Sequence, residues 1–158
     1  MNTTLPSALV SLVLLASGSA ASDIASKHYH LHSEGSASET EEMSKVLEAA
    51  WPQFVNFFQG APKLRQEKLV IYFFNTRESW IRKLTQDGHK VPNDGVGGRC
   101  FHSNKTAYLY RQPTRYYTRF LLLHEAAHQF HDLTRRVDKE ISANWYVEGV
   151  TENLSSHH

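Results

Sequence analysis

The sequence predicts an α+β domain in which a mixed β-sheet packs against one central buried helix. Three observations carry this reading. The run Leu121-Leu122-Leu123-His124-Glu125-Ala126-Ala127-His128-Gln129-Phe130 is apolar on nearly every side of a helix. The run Leu69-Val70-Ile71-Tyr72-Phe73-Phe74 is nearly continuous in β-favouring side chains, as in a strand covered on both faces. The remaining patterns follow in the order strand, helix, strand, helix, two strands, helix, helix, which is not the strict alternation of a doubly wound sheet.

Each element has a local cause. His28 to Ser33 alternates and predicts a first strand. Glu34 to Thr40 is small and polar and reads as a turn. Glu41 to Phe58 then shows helical spacing at Met43, Val46, Leu47, Ala50, Phe54, Phe57 and Phe58, with a bend or break expected at Pro52 and an end at Gly60-Ala61-Pro62. After the Leu69–Phe74 strand, Thr76 to Gln86 predicts a helix capped by Asn75 or Thr76, with Trp80, Ile81 and Leu84 inward. Asp87 to Gly98 is loop. Arg99 to His102 and Ala107 to Tyr110 predict two short strands joined by Ser103-Asn104-Lys105. Pro113 and Thr114 start the central helix, which runs to about Arg135. Val137 to Ala143 is a charged connection, and a last helix spans Trp145 to Leu154 with Asn144 as its cap.

With 158 residues there is enough chain for one domain with a real core. A net charge of +1 gives no electrostatic footprint for nucleic acid or an anionic membrane. Residues 1–20 read as a secretory signal: Leu5 to Ala16 is apolar, Gly18 and Ala20 fit the small-residue cleavage rule, and the mature chain would begin near Ala21. The departure is that no Lys or Arg precedes Lys27. The apolar run is too short for a membrane span, so a secreted or periplasmic domain over 21–158 is expected. Cys100 is the only cysteine, so no intrachain disulfide is possible, and it reads as a partly buried structural thiol.

The chemistry centres on His124-Glu125-Ala126-Ala127-His128. Two histidines four apart differ by about 40° around a helix and about 6 Å along it, so both imidazoles can reach one ion. Glu125 flanks that face, where it could hold a metal-bound water; this is the HExxH arrangement of zinc-dependent hydrolases. A catalytic zinc takes three protein ligands and leaves one position open. The third should come from a separate element, and Glu148, twenty residues beyond His128, offers it, with Glu152 one turn later on the same face. Glu152 itself, Asp132 and His131 are the other candidates for that ligand. His131 is expected to be solvent-exposed near the helix end.

HEAAH followed by Trp145-Tyr146-Val147-Glu148-Gly149 resembles the gluzincin metallopeptidases. More broadly, Tyr29 to Glu152 is similar to a family of secreted bacterial gluzincin-like proteins of uncharacterised substrate. The resemblance implies a zincin-like fold, a single Zn2+ held by His124, His128 and Glu148, Glu125 as general base, and Glu152 as a carboxylate that hydrogen-bonds the first ligand histidine and so orients its ring. It implies hydrolysis of a peptide or protein substrate. Gluzincins continue into a further subdomain that supplies the oxyanion-stabilising residue, so this chain reads as cut short at its C-terminus. The alternative is a non-catalytic zinc-binding or interaction module with the same fold, or a fragment inactive without that subdomain.

The remaining features carry less. Gly98 to His102 could be an exposed edge strand that pairs with an extended substrate. Trp145 and Tyr146 read as packing residues. His28, His30 and His32 alternate on one strand and tempt a second metal site, but an exposed strand face is preferred. Arg111, Arg115, Arg119, Arg135 and Arg136 read as solvated or helix-end charges. Asn104-Lys105-Thr106 and Asn153-Leu154-Ser155 match glycosylation sequons, which matter only in a eukaryotic source.

Overall fold

The structure, a computed structural model, describes residues 21–62, 68–101, 103–134 and 144–156, with side chains of the last group from Glu148 onward. The signal at 1–20, His102, the Val137–Ala143 connection with Arg135 and Arg136, and the side chains of Trp145 and Tyr146 lie outside the described residues. Among the described residues the architecture is α+β, a five-stranded mixed sheet with four helices. In chain order these are β1 (Ser22–Ala25), β2 (Tyr29–Ser33), α1 (Ala37–Phe57), β3 (Leu69–Phe74), α2 (Arg77–Gln86), β4 (Gly98–Phe101), β5 (Thr106–Tyr110), α3 (Arg115–Thr134) and α4 (Asn144–Ser156).

The sheet order is β1-β2-β3-β5-β4. β2, β3 and β5 are parallel, and β1 and β4 run antiparallel at the two edges. One face meets α1 and α3 through Tyr29, Leu31, Ile71, Phe73, Ala107 and Leu109, which pack with Leu47, Phe54, Leu122 and Phe130. The other face carries a smaller cluster in which Trp80 and Leu84 of α2 cover Phe74 and Tyr108. α4 lies against α3, with Val150 and Leu154 reaching the main cluster. Among the described residues no helix is long and apolar enough to cross a membrane.

Three expectations need correction. β1 is an added strand, four residues that carry no strong pattern and take their register from β2; Ser22 Oγ ties it to Thr40 of α1 at 2.7 Å. α1 starts at Ala37 rather than Glu41, because Ser36 accepts a hydrogen bond from the Glu39 N–H at 3.3 Å. Ser36-Ala37-Ser38-Glu39 is thus a helix start in the pattern of a capping box, not a turn. The helix also continues through Pro52, whose ring sits on the exposed side, where a carbonyl left without its amide partner can be met by water. At the far end Gln59, not Gly60, takes the left-handed conformation (φ 53°), and the Gly60 N–H reaches back to the Val55 carbonyl.

Candidate metal centre

α3 is held rigidly where it carries the histidines. Leu122, Leu123, Ala126, Ala127 and Phe130 are fully buried, and the two alanines let the helix approach the sheet closely. Gln129, also fully buried, donates through Nε2 to the Val70 carbonyl at 2.9 Å and to the Lys105 carbonyl at 2.5 Å. This amide bolts the turn after His128 to both β3 and the β4–β5 hairpin. The first turn is different: Tyr116 and Tyr117 point to solvent, so α3 is central only from about Leu121 onward.

His124 and His128 leave α3 half-buried on the side that meets α4, and Glu148 comes from α4 itself. The two Nε2 atoms lie 3.0 Å apart, with the imidazole rings nearly perpendicular. One oxygen of Glu148, Oε2, stands 3.3 Å from His124 Nε2 and 3.5 Å from His128 Nε2. Ligand atoms held about 2.05 Å from a tetrahedral zinc stand about 3.3 Å from one another. The observed triangle of 3.0, 3.3 and 3.5 Å has that size. A plain hydrogen bond between the imidazoles would satisfy one edge and leave the Glu148 oxygen with at most one donor. An ion at the centre serves all three.

Glu125 lies beneath β4, within reach of the Glu148 charge on α4. It is 4 % exposed, and Gly98 makes the space: a Cβ there would stand 2.9 Å from both Cγ and Oε1 of Glu125. Burial first, and the Glu148 carboxylate second, push its carboxyl up to about 8, against the pull of the Cys100 backbone N–H. Its Oε2 is buried without a hydrogen-bond partner, as is His124 Nδ1. A carboxylate oxygen of this kind suits a site that a water completes. Burial lowers the pKa of His124, while Glu148 and Glu152 push the other way. Glu152 is exposed on α4 and acts on His124 through its charge, not through a hydrogen bond to Nδ1.

The other candidate ligands are placed elsewhere. His131 is buried, not solvent-exposed, with its ring beside Phe58 at 5.5 Å. Asp132 bonds Lys105 Nζ. Cys100 is half-buried on β4, and burial with the nearby Glu125 charge raises its thiol well above the usual range, which keeps it protonated. Arg111 is more than a solvated charge: both its terminal nitrogens pair with Glu39 at 2.6 Å, and one also reaches Asn75 at 2.7 Å. β4, expected as an edge, is one.

His28, His30 and His32 do not form one exposed face. His28 stacks on Trp51 with centroids 3.9 Å apart and meets Glu48 at 2.6 Å. His30 and His32, half-buried on the opposite side of β2, gather with Asp23 of β1 so that one ligand atom from each lies within 4.8 Å of the others.

Gly98, Gln129 and Asp23 were not singled out by sequence. A glycine opening a strand beside a predicted site is a usable sign of close approach. Asp23 had no such sign, because it lies on a strand that sequence did not indicate. Neither a family model nor a curated protein matches this chain, and the site is read from its own atoms.

Proposed function

We propose that this chain is an exported zinc-dependent metallopeptidase domain of the gluzincin type, with a zincin-like arrangement of sheet and helices. The observation that carries the proposal is the convergence of His124, His128 and Glu148 at tetrahedral spacing, near the buried Glu125 whose Oε2 has no hydrogen-bond partner. His124 and His128 would hold the ion from one helical face, and Glu148 would close the set from the packed neighbouring helix. Zinc held there would lower the pKa of a water towards ~7 and polarise a carbonyl.

Glu125 is the general base in this reading. Its free Oε2 takes the proton of the attacking water, and the same oxygen delivers it to the departing amine. Gly98 holds that carboxylate in place by leaving it room. The β4 edge supplies backbone N–H and C=O groups to which an extended peptide can pair as an added strand. The Glu152 charge pushes the His124 pKa upward without a hydrogen bond to Nδ1.

A second reading, a zinc-binding module without turnover, is favoured by one observation: Glu125 is almost fully enclosed by β4. Metal analysis and peptide hydrolysis, measured on the wild type, Glu125→Gln and His124→Ala, separate the two. Hydrolysis lost in Glu125→Gln with zinc retained supports the peptidase. One ion lost in His124→Ala, with no hydrolysis in any form, supports the module. Unchanged zinc content in His124→Ala sinks both.

A further inference from the structure

We propose that Asp23, His30 and His32 form a second divalent-metal site, on the opposite face of the sheet from the α3 centre and independent of it. His30 and His32 are two apart on β2, so both side chains leave the same face, about 6.6 Å apart at the backbone. The register sets Asp23 directly opposite His32 across the antiparallel β1–β2 pair, on that same face. Asp23 Oδ2 lies 3.0 Å from His32 Nδ1, and the His30 and His32 rings are 4.1 Å apart at their centroids.

The surroundings favour a built site over a passing contact. The His32 ring stacks on Tyr72 with centroids 4.5 Å apart and planes 13° from parallel, which fixes its orientation. Opposite His30 stands Ala25, whose small side chain leaves room beside that ring. α2 packs over β3 and β5, so the β1–β2 part of this face keeps space for an ion and its waters.

Two imidazoles and one carboxylate suit a borderline ion such as Zn2+, Ni2+ or Cu2+, not Ca2+ or Mg2+, which want an oxygen shell. An ion there crosslinks β1 to β2. β1 has four residues and lies at the sheet edge, so it gains most from such a staple. The competing account is a surface His32–Asp23 pair with His30 as a same-face neighbour, Asp23 being 58 % exposed, and the zinc count below separates the two.

The test uses untagged full chain in the His128→Ala background, which disables the α3 centre, with Zn2+ as the probe. Zinc is counted after equilibrium dialysis, and Cu2+ electron paramagnetic resonance reads the nitrogen ligands. The site predicts one zinc retained in His128→Ala, a two-nitrogen Cu2+ signal, and loss of both on adding His30→Gln or Asp23→Asn. Far-UV circular dichroism verifies that each variant is folded. No zinc bound by folded His128→Ala overturns the proposal, as does zinc binding unchanged by both added substitutions. Neither outcome bears on His124, His128 and Glu148, because the background already lacks that centre.

Discussion

Gly98 and Glu125 share one volume: the hydrogen at Gly98 stands where any side chain would meet the glutamate, with a Cβ coming within 2.9 Å of its Cγ and Oε1. Glu125 is anchored on the buried face of α3 and cannot swing out, so a larger residue at 98 must move the carboxylate or the strand. Gly98→Ala should therefore destabilise the fold by about 1–3 kcal/mol, the usual range for overpacking. It should also abolish any hydrolysis while zinc at His124, His128 and Glu148 is kept. Thermal unfolding, zinc content and peptide turnover measure the three effects, and full turnover in Gly98→Ala would show that the space left by Gly98 is not needed for the glutamate to act.

An ion that bridges α3 to α4 stabilises the folded state by mass action, about 2.7 kcal/mol at a free concentration 100 times its Kd. Adding zinc to metal-free protein should raise the melting temperature of the wild type more than that of His124→Ala or Glu148→Ala. Because Glu148 is 56 % exposed and the histidines 14 % and 19 %, Glu148→Ala should keep more of its fold and lose mainly affinity. Equal zinc-induced shifts in wild type and His124→Ala would rule out the α3 centre.

Gln129 donates from Nε2 to two backbone carbonyls, those of Val70 and Lys105, while its own Oε1 is buried without a partner. Gln129→Leu matches its size but removes both donors, and each stranded carbonyl costs about 1–3 kcal/mol. Urea unfolding should place the variant at least about 2 kcal/mol below wild type. A variant as stable as wild type would mean that the carbonyls find other partners.

Glu48 links the β1–β2 turn to α1. Burial alone would raise its pKa, but the Ser26 hydroxyl at 2.6 Å, the His28 N–H at 2.7 Å and the His28 ring at 2.6 Å hold it below the usual glutamate value of 4.5. A depressed folded pKa contributes stability that is fully present above the unfolded value and lost as pH falls through the folded one. Stability should therefore fall as the pH drops below about 4.5. Glu48→Gln should lower stability at pH 7 by about 1–2 kcal/mol and shallow the acid limb. An acid limb of unchanged steepness would assign the acid loss to other groups.

Elements with a strong pattern of their own were legible. Leu69–Phe74 appears as β3 with the expected ends, and the HEAAH helix, expected to start at Pro113 or Thr114 and end near Arg135, spans Arg115–Thr134. Both are long or densely apolar, so burial and local propensity agree. β1 and the first turn of α1 were not legible as such, since Ser22–Ala25 has little pattern and a capping serine followed by small residues looks like a turn. His131 was placed in solvent because helix ends usually fray outward; Phe58, from the far end of α1, covers it instead.

The sequence by itself determined that two histidines and a glutamate would share one stretch of a buried helix, because helical spacing is a local property. It also indicated a helix carrying Glu148 downstream. Only the tertiary structure decided that α4 lies against α3 with the Glu148 oxygen between the two imidazoles, that Gly98 leaves room for Glu125, and that Asp23 faces His32. Those are distances between segments far apart in the chain, set by how the sheet and helices pack, and spacing along the sequence carries no measure of them.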